Sequence, residues 1–193
     1  MRGVVIAAVV AAAFAFAAQA GGPGSAPEPD GLWRGALAGY TPSTLKGATV
    51  VDAAAVARLV DKGDALLLDV GPADRKPETL PETALWRPQH RSIPGAVWLP
   101  GAGPGDLPPE QEAALKARIV TLADGDLRRP VVTFCKPDCW GSWNLGKRLL
   151  GWGFTSVHWF PGGINGWLEA DRPSTVVRTD PDWEAATKPP ADR

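Results

Sequence analysis

Val131 to Trp140 reads "VVTFCKPDCW". Four residues suited to a buried strand run straight into Cys135. Cys139 follows after three more residues, then Trp140, and these two are the chain's only cysteines. Downstream, "SWNLGKRLLG" (Ser142 to Gly151) reads as a helix. Its last turn carries Lys147 and Arg148, where the helix dipole favours cations. Strand, short loop and helix in that order put Cys135 at the carboxyl end of a strand. Open parallel α/β sheets bind their ligands at that end.

The rest of the chain alternates in the same way. Ala48 to Val51 reads as a short strand. Asp52 is placed to N-cap "AAAVARLVDKG", with Val56, Leu59 and Val60 on one face and Gly63 at the stop. "ALLLDV" (Ala65 to Val70) is a continuous apolar run, as a strand covered on both faces requires. Gly71 to Arg91 is polar and Pro-rich and reads as loop. "IPGAVWLP" (Ile93 to Pro100) holds a brief strand. Pro109 opens a helix to about Leu122, with Ala114, Leu115, Ile119 and Leu122 periodic. Val157 to Phe160 is a further strand, and "PGGINGW" turns into a last short helix. Gly162 and Gly163 are read as supplying positive φ there. The alternation predicts an α/β fold with a mainly parallel central sheet flanked by helices.

The ends differ from this middle. Met1 to Ala20 carries one charge, Arg2, then a run of small apolar residues, and Ala18-Gln19-Ala20 fits a small-x-small cleavage site. Residues 1–20 are read as a cleaved secretory signal, the alternative being an uncleaved anchor. The expected location is the periplasm, an oxidising compartment that lets thiols pair, with no membrane association after cleavage. Residues 21–45 read as a flexible leader that packs partly on the domain through Trp33, Leu37 and Tyr40. Residues 46–171 form the domain, and 172–193 a loosely docked Pro-rich tail. After cleavage 19 basic residues face 21 acidic ones, a net charge of −2. Nothing in that balance draws nucleic acid.

The order of motifs resembles the rhodanese-like family, from "LLLDVGPAD" (Leu66 to Asp74) through "SIPGAVWLP" (Ser92 to Pro100) and "VVTFC" to "LLGWGFTSVHWFPGGINGW" (Leu149 to Trp167). The resemblance covers roughly Ala48 to Ala170. It implies a three-layer rhodanese-like fold with Cys135 as the catalytic cysteine at the head of an amide-lined loop, Lys136 to Gly141. Ser142 would lead the following helix. Cys135, Cys139 and Trp140 together are similar to the C-x3-C-W motif of secreted proteins associated with pyrroloquinoline-quinone-dependent alcohol catabolism. Against the family's pattern, Lys136 stands for a frequent Arg, and Pro137 removes a backbone donor. Asp138 opposes an anionic donor such as thiosulfate, Trp140 replaces a frequent Thr or Arg, and Gly71 replaces an Arg.

Four chemistries fit two cysteines at this spacing. A disulfide across three residues closes too small a loop to stabilise the domain much. A metal site would need His90 and His158 and departs from the usual knuckle spacing. His158, in an apolar strand, reads as a hydrogen-bonded core residue, and His90 as a surface one. A redox pair would use Cys139 as resolving thiol for Cys135. A sulfur carrier would load Cys135 with sulfane sulfur, which Cys139 then displaces as sulfide. In the last two Cys135 is the activated thiol, its pKa lowered by Lys136 and the helix terminus and raised by Asp138.

The expected binding set is thus Lys136, Asp138, Trp140, Gly141 and Ser142 around Cys135 and Cys139, with Trp140 capping the sulfur pocket or facing a partner. Trp143, Trp152, Trp159 and Trp167 read as core, and Asp69 as an organiser of backbone amides. No cofactor or metal is called for. Expected partners are a small sulfur donor or thiol, and a quinoprotein or cytochrome of the same compartment. The competing reading is a non-catalytic module that docks a quinoprotein, cytochrome or transporter component.

Overall fold

Three four-residue, mostly apolar runs build the centre of the molecule: Leu66–Asp69 (β2), Val131–Phe134 (β5) and Val157–Phe160 (β6). The first two are buried throughout, as a strand covered on both faces must be. In this computed structural model, which describes residues 26–188, they form a five-stranded parallel sheet with Thr49–Val50 (β1) and Val97–Trp98 (β4). The order is β1-β6-β5-β2-β4. The signal-sequence reading of residues 1–20 falls outside the described residues.

Side-chain alternation along the strands divides the core into two layers. Leu66 and Leu68 of β2 face one side and Leu67 the other. The Leu67 side also holds Val132 and Phe134, under helices Ala53–Lys62 (α1) and Gly163–Glu169 (α4). The opposite side packs Leu115 and Ile119 of Pro109–Leu122 (α2) with Leu145 and Leu149 of Trp140–Gly151 (α3). This is the α/β fold expected, a parallel sheet between helices.

Local signals set several boundaries. The Asp52 side chain accepts a hydrogen bond from the Ala55 amide, and Gly63 closes α1 at φ 74°. Pro109 begins α2 at its first position. Helix α3 starts two residues earlier than the sequence reading has it, so Trp140 and Gly141 are its first turn and Cys139 its N-cap.

The tail is not loosely docked. Thr175–Val177 (β7) pairs antiparallel with His90–Ser92 (β3). The following Pro181–Thr187 helix (α5) buries Trp183 to 1 % exposure and passes its indole N–H to the Pro100 carbonyl. Asp180 caps α5 through the Trp183 amide and takes a bidentate pair of hydrogen bonds from Arg118 of α2. One buried aromatic anchor and one part-buried ion pair replace the apolar periodicity the segment lacks.

Candidate active site

Strand β5 ends at Phe134, and the chain turns at once into the cysteine loop. Cys135 is buried, and its carbonyl accepts the Ile164 amide at 2.9 Å. Gly163, at φ 53°, makes that approach possible, since a Cβ there would lie 2.5 Å from the Cys135 oxygen. Gly162, by contrast, has ordinary helical φ. Asp138 occupies the left-handed region at φ 53°, which Asp tolerates better than most residues. Both cysteines are free thiols and both are buried.

The loop's amides converge on the second cysteine. The Cys139 sulfur accepts the backbone N–H groups of Gly141, Ser142 and Lys136, and stands at the N-terminus of α3. Pro137 subtracts nothing from this set. The Cys135 thiol also donates to Cys139. That bond is the largest influence holding the Cys139 thiol down at about 6, and the amides add to it while burial works against them. Cys135 is pushed the opposite way, first by the same bond, then by burial and by the charges of Cys139 and Asp69, with only the Lys136 amide, which it shares with Cys139, opposing. The sequence reading places the lowered thiol at Cys135, whereas more of the loop's amides lie on Cys139. The helix terminus and the cradle reach the cysteine nearer the helix instead.

Each sulfur opens on its own cavity. Beside Cys139 lies a space of about 180 Å3 walled by Leu37, Ala38, Val70, Pro72 and Pro104. Among the described residues, Lys136 and Cys139 supply its only polar side chains. Beside Cys135 lies a space of about 200 Å3 whose lining includes Asp74, His90, Lys136 and Asn165.

His90, read from sequence as a surface residue, belongs to this second cavity. Its Nε2 lies 2.8 Å from Asp69 Oδ2, and its ring stacks on Trp98 at 4.0 Å. Asp69 also accepts the Ser92 hydroxyl and the Gly71 amide. It organises a backbone amide as expected, and two side chains besides. Gly71 is required by this packing, because a Cβ there would lie 2.9 Å from both His90 Cε1 and Asp69 Oδ1. Sequence reasoning missed His90 and Ser92. The one available signal was Asp69 itself, a carboxylate closing a buried strand and needing partners.

Trp140 does not cap a sulfur pocket. It is buried, stacked on Trp33 at 4.3 Å and set edge-on to Trp143 at 5.4 Å. Ser142 turns its hydroxyl inward, to the Cys139 carbonyl and the Trp159 indole, so only its amide serves the sulfur. Gly141 is held to glycine by crowding. A Cβ would sit 3.3 Å from the Gly103 Cα and 3.4 Å from the Cys139 sulfur. Asp138 contributes its carbonyl to the Gly39 amide.

That last bond is one of several that lay residues 26–45 over the loop. The Trp140 amide donates to the Leu37 carbonyl, and Ala38 bridges to Cys139. Asn144 of α3 accepts the Trp33 amide and donates to the Trp33 carbonyl. The segment is an arm fastened to the active-site helix.

His158 is half-buried, 3.4 Å from the Ser156 hydroxyl, and burial pushes its pKa down. Its Nδ1 is buried with no partner among the described residues, so it is only weakly tied in the core. Among the described residues, no three His, Cys, Asp or Glu side chains are grouped to hold a metal ion. No described helix is long and apolar enough to cross a membrane.

Residues 52–170 match the family model described as the Rhodanese-like domain. The chain belongs to the rhodanese-like domain family. Solved structures of similar fold include a thiosulfate sulfurtransferase from Pseudomonas aeruginosa, at 22% identity and TM-score 0.44. That match covers 72% of this chain and 23% of the other, so this rhodanese-like chain spans about a quarter of the protein it resembles. The polysulfide-sulfur transferase homodimer from Wolinella succinogenes matches at 20% identity and TM-score 0.43, over 68% of this chain and 80% of that one. A human single-domain sulfurtransferase matches at 25% identity and TM-score 0.38, over 64% and 96%. Comparison with curated proteins found no match.

Proposed function

We propose that this rhodanese-like protein carries out sulfur transfer through a working dithiol, with Cys139 as the attacking thiolate and Cys135 as the resolving thiol. The observation that carries the reading is the convergence of three backbone amides and the Cys135 thiol on the Cys139 sulfur. A thiolate held this way is charged near neutral pH and is a ready nucleophile. Its sulfur bonds to the outer sulfur of a donor, the donor's S–S bond breaks, and the electron pair leaves with the donor. Cys139 then carries a persulfide. Cys135 attacks the Cys139 sulfur and the outer sulfur departs. Its own proton and that of the Cys135 thiol leave with it, as hydrogen sulfide. A Cys135–Cys139 disulfide remains, and an external dithiol restores the pair.

The secretory reading of residues 1–20 supports a periplasmic location, where such a disulfide persists. The C-x3-C-W resemblance supports service to pyrroloquinoline-quinone-dependent alcohol catabolism. The docking-module alternative relied on a Trp140 free to meet a partner, and burial of that ring against Trp33 weighs against it.

The test is intact-mass analysis of protein taken from the native periplasm, followed by peptide mapping. A deficit of about 2 Da (disulfide) or a gain of about 32 Da (persulfide) that maps to Cys139 supports the reading. Unmodified thiols, together with full biological function in Cys139→Ser, would rule it out.

A further inference from the structure

The two sulfurs face different surroundings, and the difference selects a substrate. Resting on the roles proposed above, we infer that the cavity between the arm and the cysteine loop binds a donor whose sulfane sulfur is carried on a small uncharged apolar group, an organic persulfide R–S–SH.

The volume fits. An apolar cavity of about 150 Å3 stays dry and takes up a benzene ring, and the Cys139 cavity measures about 180 Å3. The chemistry of the walls fits as well. Leu37, Ala38, Val70 and Pro104 offer no hydrogen bond from a side chain, and the one cation, Lys136, is exposed at the rim. A dianion such as thiosulfate would surrender its hydration to these walls and regain a single partner, which is unfavourable. An apolar R group loses nothing on entry and gains by leaving water.

The reaction balances in place. The Cys139 thiolate bonds to the terminal sulfur of R–S–SH and the S–S bond breaks. The electron pair leaves on R–S⁻ beside the Lys136 ammonium. The transferred sulfur keeps its proton as Cys139–S–SH.

The arm makes the selection. Leu37 and Ala38 lie outside residues 52–170, the span of the family match. They reach the sulfur because the Leu37 carbonyl accepts the Trp140 amide and Ala38 bridges to Cys139. Leu37 and Ala38 are thus specificity-determining residues contributed from beyond the shared domain.

The experiment compares sulfur uptake by reduced Cys135→Ser protein from benzyl hydropersulfide and from thiosulfate, read as the gain of about 32 Da on Cys139. Uptake from the benzyl donor is expected to be at least about tenfold faster, a transition-state difference of about 1.4 kcal/mol. Ala38→Phe, at an exposed arm position, and Leu37→Trp, at a half-buried one packed against the Trp140 and Trp143 cluster, both fill the cavity and should each remove that preference. Equal or faster uptake from thiosulfate, or a preference unchanged in both variants, would overturn the inference and leave the cysteine roles standing. Sulfur uptake that persists in Cys139→Ser would overturn those roles instead.

Discussion

The division of labour between Cys135 and Cys139 comes from one shared proton. Three amides and the N-terminus of α3 favour negative charge on Cys139, and the Cys135 thiol completes its solvation. Alkylation of the reduced protein should therefore follow a thiol that ionises at about 6. In Cys135→Ala, which removes the first of those stabilising bonds, the midpoint should rise. A midpoint at or above the free-thiol value of about 8.5 in the unaltered reduced protein would contradict the assignment. Stability follows the same proton. The folded Cys139 pKa is depressed, so from about 6 to about 8.5 the unfolded chain holds a proton that the folded one has lost. The reduced protein should gain stability as pH rises through that window, by up to about 1.4 kcal/mol per pH unit, and lose it again on acidification. Denaturant titrations of reduced protein and Cys139→Ser check the slope above about pH 6.5, clear of the burial-lowered His158, and the variant should lack it there.

At the scale of elements, the arm and α3 behave as one unit. Trp33 stacks on Trp140 and exchanges two hydrogen bonds with Asn144, while Lys147 reaches the Pro29 carbonyl. Trp33→Ala should cost about 1–2 kcal/mol, less than a full core truncation because the ring is only half-buried. Amide exchange should rise at Gly39 and Trp140, whose N–H groups tie arm to loop, while β5 keeps its protection. Uniform loss of protection would show that the arm is not a separable clamp.

The elements also show what the sequence made legible. Strands β2, β5 and β6 stand out because a buried parallel strand is predominantly apolar, and α1 and α2 carry their start signals in the chain. The site was half legible. Cys135, Cys139 and the loop between them announce themselves by residue type and position. The recipient of the cradle does not, since it depends on where α3 begins, two residues before the periodicity suggests. His90 and Leu37 were invisible for another reason. His90 reaches the Cys135 cavity through its bond to Asp69, and Leu37 reaches Cys139 through an arm, and no local pattern encodes either route.

Across the whole molecule, the C-terminal segment is a structural member. Trp183 of α5 fills a hole against the α2 and α3 face, and Arg118 holds Asp180 from α2. Trp183→Ala should cost about 3–5 kcal/mol, as for other fully buried aromatics. Thermal unfolding of that variant is the measurement, and a loss below about 1 kcal/mol would return the segment to the status of a tail. The Asp180 carboxyl is held below the usual carboxylate range, burial working against the bonds from Arg118 and the Trp183 and Asp182 amides. This tie therefore loosens only under strong acid.

The face-to-face indoles of Trp33 and Trp140, 12° from parallel, have an optical consequence. Two chromophores so close and so aligned couple their transitions, and the coupling vanishes when either turns away. Near-ultraviolet circular dichroism should therefore report the seating of the arm without any added label, in real time, while the cysteines beneath it change their oxidation state.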